Sequence, residues 1–127
     1  MTVRRRGRAS AEQRGGRRVP FQGRADLVRG TRTWATRIVD LSTDGSLLVL
    51  PFRCSVQAGD AVSVDLHMPG PDGPVQIAAV VVHHRSTRVG VRFRDMSPVD
   101  AQRLRALVGQ QLGDARLAER RLEALAG

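Results

Sequence analysis

Between Val19 and Arg94 the chain is a succession of short apolar runs rich in Val, Ile and Thr, cut apart by Gly, Pro, Asp and Ser. Runs of that length with turn residues between them suit an antiparallel sheet that closes on itself, because each strand needs a neighbour for its backbone and a face for its apolar side chains. Strands are predicted near 19–28, 33–41, 45–50, 61–67, 75–84 and 87–94. The segment Pro69-Gly-Pro-Asp-Gly-Pro74 is a loop, since three prolines deny it ladder donors, and it is expected at a hairpin tip. Aromatic residues make up only 3% of the chain and tyrosine is absent, so the core must be built from Val, Leu, Ile and Ala. A length of 127 residues allows one domain with one modest core.

The pattern changes at Ser97-Pro98-Val99-Asp100. A capping hydroxyl, a proline at the first helical position and an early acid announce a helix. Leu104, Leu107, Val108 and Leu112 lie along one face of it; Gly109 and Gly113 weaken it, and a second charged stretch with Leu117, Ala118, Leu122 and Leu125 follows at helical spacing. The chain therefore ends in a helix or helices. The last stripe suits packing on the domain itself, a partner or a homodimer contact.

Charge is unevenly spread. The formal net charge is +9, and all 21 basic residues are arginine. Residues 1 to 24 hold eight of them against the single acid Glu12, a local charge of +7, while the rest of the chain carries only +2. Such a field attracts nucleic acid, an anionic membrane or a phosphorylated small molecule. Residues 1 to 18 have almost no apolar content, so they are expected to form a flexible arm.

Several functions have no residues to carry them. Cys54 is the only cysteine, which excludes an intrachain disulfide and a thiolate metal cluster. His83 and His84 lack a carboxylate or cysteine at ligand spacing, so no metal site is expected; they read as barrel-edge residues. Cys54, beside Phe52 and Val56, reads as a small apolar residue, and Trp34 as part of the barrel. No nucleophile, base and orienting group can be assembled, so the chain is not expected to be an enzyme, and no cofactor is expected. The longest wholly apolar run, Ile77 to Val82, is far short of the roughly 20 residues needed to cross a bilayer. No apolar stretch follows the early arginines as a signal peptide requires, and a cytoplasmic location is expected.

Two short patterns flank the first predicted strands. One is Arg14-Gly15-Gly16-Arg17-Arg18, running directly into Val19-Pro20-Phe21. Arginines four apart occur at four places in this chain, but only Arg14 and Arg18 stand just before a strand with glycines between them that let the backbone fold around a ligand. The other is Asp40-Leu41-Ser42-Thr43-Asp44-Gly45, between the second and third predicted strands. Asp40 can accept from the N–H edge of a guanine, Ser42 can donate and accept, and Gly45 permits either positive φ or a close backbone approach. An ordinary Asp-Gly turn would use the same residues.

Together these patterns resemble the signature of the PilZ family: an arginine pair four apart, roughly 20 to 30 residues before an Asp/Asn-x-Ser-x-x-Gly turn. Here Arg18 precedes Asp40 by 22 residues. Val19-Pro20-Phe21, Gly90-Val91-Arg92-Phe93 and Asp95-Met96-Ser97 extend the similarity, which covers residues 14 to about 112. The resemblance implies an all-β core, a six-stranded antiparallel PilZ-type β-barrel with a C-terminal α-helix or helices. It also implies cyclic di-GMP as ligand, held between the arginine loop and the barrel surface. Arg14 and Arg18 would match the arginines that bond phosphate and stack on guanine. Asp40, Ser42 and Gly45 would match the guanine-reading turn, and Arg17, at an open position of the signature, would assist.

The expected organisation is an arm over residues 1–13, a PilZ domain over 14–112 and a helical extension over 113–127. The expected role is a receptor that changes conformation on binding and signals to an effector protein. Two alternatives stand beside it. One is nucleic-acid binding through the arginine arm, for which only Trp34 and three phenylalanines could supply a stacking surface. The other is a ligand-independent adaptor that uses the barrel only to dock a protein. Arg92 and Arg94 alternate with Val91 and Phe93, so they are expected to point away from the core on the last strand, where one of them could touch a ligand.

Overall fold

A computed structural model of the chain describes residues 18–50 and 54–126, with side chains through residue 114. The described residues form six strands and one helix: β1 (Val19–Arg29), β2 (Arg32–Leu41), β3 (Gly45–Val49), β4 (Ala61–Leu66), β5 (Val75–Arg85), β6 (Arg88–Asp95) and α1 (Pro98–Ala126). Each strand lies within a residue or so of its predicted span. The strands form a closed barrel in the order β1-β2-β3-β6-β5-β4, with every neighbouring pair antiparallel.

Tight connections follow from local chemistry. Arg29 pairs with Arg32 around a two-residue turn, and Gly30 at φ 60 supplies the left-handed backbone such a turn needs. The β5–β6 turn is equally short, and there Ser86 takes the left-handed conformation at φ 56. The proline-rich segment joins Leu66 of β4 to Val75 of β5, the hairpin tip expected of it.

The barrel interior is aliphatic. Leu27, Leu41, Leu48, Leu50, Leu66 and Ile77 are fully buried, with valines from β1, β4, β5 and β6 filling the spaces between them. Fully burying such a side chain is worth about 1.5 to 3 kcal/mol. Trp34 and Cys54 pack on this core from its margin, half-buried, and Arg32 lies over the Trp34 ring at 5.6 Å from its centroid.

Leu104 and Val108 of α1 enter the same core, so the first turns of the helix are fastened to the barrel. Its start is capped as the sequence predicts: Ser97 Oγ accepts from the Asp100 N–H at 3.1 Å. Asp100 in turn accepts from the Gln76 N–H at 3.1 Å, and Arg103 donates to the carbonyls of Gly73 and Pro74, so the helix also holds the proline-rich loop. Gly109 and Gly113 do not interrupt α1, which continues as one helix through Ala126; glycine costs a helix about 1 kcal/mol relative to Ala without preventing it. Among the described residues no helix is long and apolar enough to cross a membrane.

Candidate functional site

The site is built where β2 loses its regular alternation. Ile38 is buried and Arg37 exposed, so strict alternation would turn Asp40 inward and Leu41 outward. The opposite is found: Leu41 is buried and Asp40 reaches the surface. The cause is a pair of register shifts around Val39. On one side the pairing steps from Ile38↔Leu48 directly to Asp40↔Leu47, and on the other from Gly23↔Ile38 to Pro20↔Asp40. Such an irregularity re-aims the side chains beyond it, and here it keeps a carboxylate out of the core while Leu41 stays in.

Arg18, at the entrance to β1, meets that carboxylate. Its Nη1 donates to Asp40 Oδ1 at 2.7 Å, joining two residues 22 apart in sequence. The Arg18 side chain is 51% exposed and that of Asp40 23%. Asp40 Oδ1 also accepts from the Leu47 N–H at 3.1 Å, which anchors it to β3. Among the described residues Oδ2 carries no hydrogen bond, so one lone-pair-bearing oxygen stands unengaged beside a guanidinium.

The turn after Asp40 is held from within. Ser42, 1% exposed, accepts from the N–H groups of Asp44 and Gly45, each at 3.0 Å, and its hydroxyl lies 3.2 Å from the Gly45 carbonyl to which it donates. The Ser42 N–H donates to that same carbonyl at 2.9 Å. The hydroxyl expected to read a guanine thus spends its bonds on the turn that carries Asp40. Gly45 answers the choice left open by the sequence: its φ is not positive, but a Cβ there would overlap the carbonyl oxygen of Val91. It is glycine because β3 and β6 approach closely, with the Phe93 N–H donating to the Asp44 carbonyl at 2.7 Å.

Three further residues stand beside the turn. Ser46, buried, donates to the Asp40 carbonyl at 2.7 Å and braces the turn from its far side; a serine following the motif gave no signal in the sequence. Arg92 is exposed directly opposite Gly45 in the β3–β6 ladder, and Arg94 is exposed two residues on. Arg14 and Arg17 lie outside the described residues. His83 and His84 fall on β5, where the two His84 ring nitrogens lie 2.8 and 3.0 Å from the carbonyls of Val56 and Ser86. Among the described residues no cluster of His, Cys, Asp or Glu could hold a metal ion. The arrangement offers a cation, an unengaged carboxylate oxygen and a turn held by internal hydrogen bonds, which can recognise a ligand bearing both phosphate and N–H donors.

Comparison with known proteins agrees with the fold. A family model described as the PilZ domain matches residues 11–110. Among solved structures, the PilZ domain with c-di-GMP of YcgR from Escherichia coli superposes with a TM-score of 0.66 at 18% identity, covering 82% of this chain and 95% of that one. The inhibitor of motility MotI/DgrA from Bacillus subtilis gives 0.62 at 18% identity over 76% of this chain and 49% of that one, so this chain spans about half of it. The PilZ domain of CeSA from a cellulose-synthesizing bacterium gives 0.61 at 14% identity, over 74% and 96%. At these identities the likeness is one of fold. A search of curated proteins gives no significant match.

Proposed function

Since this chain belongs to the PilZ domain family, we propose that it is a receptor for cyclic di-GMP. The working unit is residues 14–112, preceded by an arginine-rich arm over 1–13 and followed by a helical extension over 113–127. The observation that carries the reading is the 2.7 Å contact between Arg18 and Asp40, which unites the end of the arginine motif with the start of the Asp-x-Ser-x-x-Gly turn. Arg14, Arg17 and Arg18 supply cations for the phosphates and planar groups for the guanines; Asp40 offers Oδ2 to a guanine N–H edge; Ser42 and Gly45 keep the turn in shape.

Relative energies favour an exchange of partners at Arg18. A half-exposed ion pair is worth about 0 to 1 kcal/mol after screening. A charge-assisted bond to a phosphate is worth about 1.5 to 3 kcal/mol. The arginine therefore gives up or shares Asp40 when the dianion arrives, and the first strand's entrance is remodelled. That local change is what an effector protein would read.

Titration of the full chain by calorimetry tests this, with GTP and cyclic GMP as controls. Binding of cyclic di-GMP alone at micromolar affinity, about −8 kcal/mol, is expected, and Arg18→Ala should weaken it about tenfold or more. Equal binding of all three nucleotides, or an unchanged affinity in Arg18→Ala, would overturn the assignment.

A further inference from the structure

Two arginines on the barrel wall take no part in the site described above. Arg24 of β1 and Arg37 of β2 are directly paired across the antiparallel ladder, and both are exposed. Opposite residues in such a ladder send their side chains to the same face with Cβ atoms about 4.5 to 5.5 Å apart, so the two guanidiniums leave the wall as neighbours. Among the described residues neither side chain has an ion pair or hydrogen bond. The nearest acids along their own strands are engaged elsewhere: Asp26 faces His67 at 3.3 Å, and Asp40 holds Arg18. Like charges placed opposite each other destabilise a sheet, so the pair has no structural rationale within the barrel.

The two arginines border an open groove of about 560 Å³, lined also by Gln22, Ile38, Val39 and Val49. That volume falls in the range of about 300 to 1,000 Å³ usual for small-molecule sites. Register explains its composition. Val49 lies opposite Arg37 on the other side of β2, giving a row of two cations and one apolar side chain across three strands. Val39 leads directly into Asp40, so the groove abuts the Arg18–Asp40 pair along the same wall. Two cationic centres are thus separated along one surface, matching a ligand whose two phosphates are separated by its nucleosides.

We propose that the Arg24–Arg37 groove is the second half of the ligand site, taking one phosphodiester and its guanine while Arg18 and the Asp40–Gly45 turn hold the other. This rests on the cyclic di-GMP reading. The paired guanidiniums bond phosphate oxygens in their planar fork, and the methyl groups of Val39 and Val49 lie under the base. The ligand also neutralises a repulsion that the barrel otherwise carries.

The test is calorimetric titration of the full chain with cyclic di-GMP for wild type, Arg18→Ala, Arg24→Ala, Arg37→Ala and the double variant Arg24→Ala/Arg37→Ala, with thermal melts of each. Because neither arginine has a partner to lose among the described residues, the Arg24 and Arg37 variants should melt at or above the wild-type temperature. Arg37→Ala should weaken binding about ten- to a hundredfold, as loss of a charge-assisted contact does, and the double variant should lose more. In wild type, ligand should shift the amide resonances of Ile38, Val39 and Val49. If Arg18→Ala loses affinity while the Arg24 and Arg37 variants bind as wild type, the groove inference falls and the receptor reading stands. If wild type binds no cyclic di-GMP, both fall.

Discussion

Replacing Ser42 by Ala removes one oxygen and strands several groups at once. The Ser42 hydroxyl accepts from the N–H groups of Asp44 and Gly45, and the volume it occupies is sealed from solvent at 1% exposure. A buried donor left without a partner costs about 1 to 3 kcal/mol. The Gly45 N–H is buried and bears the full cost, whereas the Asp44 N–H is nearer water and bears less. The sum is a destabilisation of about 2 to 4 kcal/mol, a large share of the roughly 5 to 15 kcal/mol that holds a domain together. Urea unfolding of Ser42→Ala beside wild type measures it, as a lowered midpoint with an unchanged slope. A serine whose role was only to touch ligand would predict the reverse pattern, full stability with weakened binding. A loss below about 0.5 kcal/mol would refute the reasoning, because surface substitutions away from such features already reach that size.

Gly45→Ala should destabilise by about 1 to 3 kcal/mol, since the new methyl group meets the Val91 carbonyl and forces β3 from β6; an unfolding midpoint equal to wild type would contradict the close approach. Asp60 sits at the other end of the barrel, where the Gln57 N–H, followed by the Arg29 guanidinium, holds its carboxyl below the ordinary value. A carboxylate depressed in the folded state contributes stability that is present above its unfolded pKa and is lost as pH falls through the folded one. Unfolding midpoints measured down a series of acid pH values should therefore fall less steeply for Asp60→Asn than for wild type, and identical slopes would show that the contact is not felt.

How much of this was legible in the sequence depends on range. The strands were readable because Val- and Ile-rich runs alternate with unmistakable stops such as Pro69 to Pro74 and Gly30, and the helix start because Ser97, Pro98 and Asp100 each answer a distinct need of a helix N-terminus. The meeting of Arg18 with Asp40 was implied only by the resemblance of the two motifs to the PilZ signature. The shift at Val39 was not readable, since Arg37-Ile38-Val39-Asp40-Leu41 looks like an uninterrupted strand and its change of phase shows only in which side chains are covered. Ser42 carries a motif signal, but its chemistry is ambiguous until the turn is closed, because the same hydroxyl could face a base or the backbone. Arg24 and Arg37 could not be paired without the β1–β2 register. Two helical glycines suggested a break that α1 does not have, because their modest cost is spread over a helix anchored by Leu104 and Val108.

The closed strand order bears on how a partner of the proposed receptor would dock. Among the described residues each strand has a neighbour on both sides, so no strand offers its whole length as a raw edge for a visitor to extend the sheet. A partner of the proposed receptor would recognise mainly side chains standing on the outer wall or on the helix, and those are surfaces that the proposed change of partner at Arg18 would redraw.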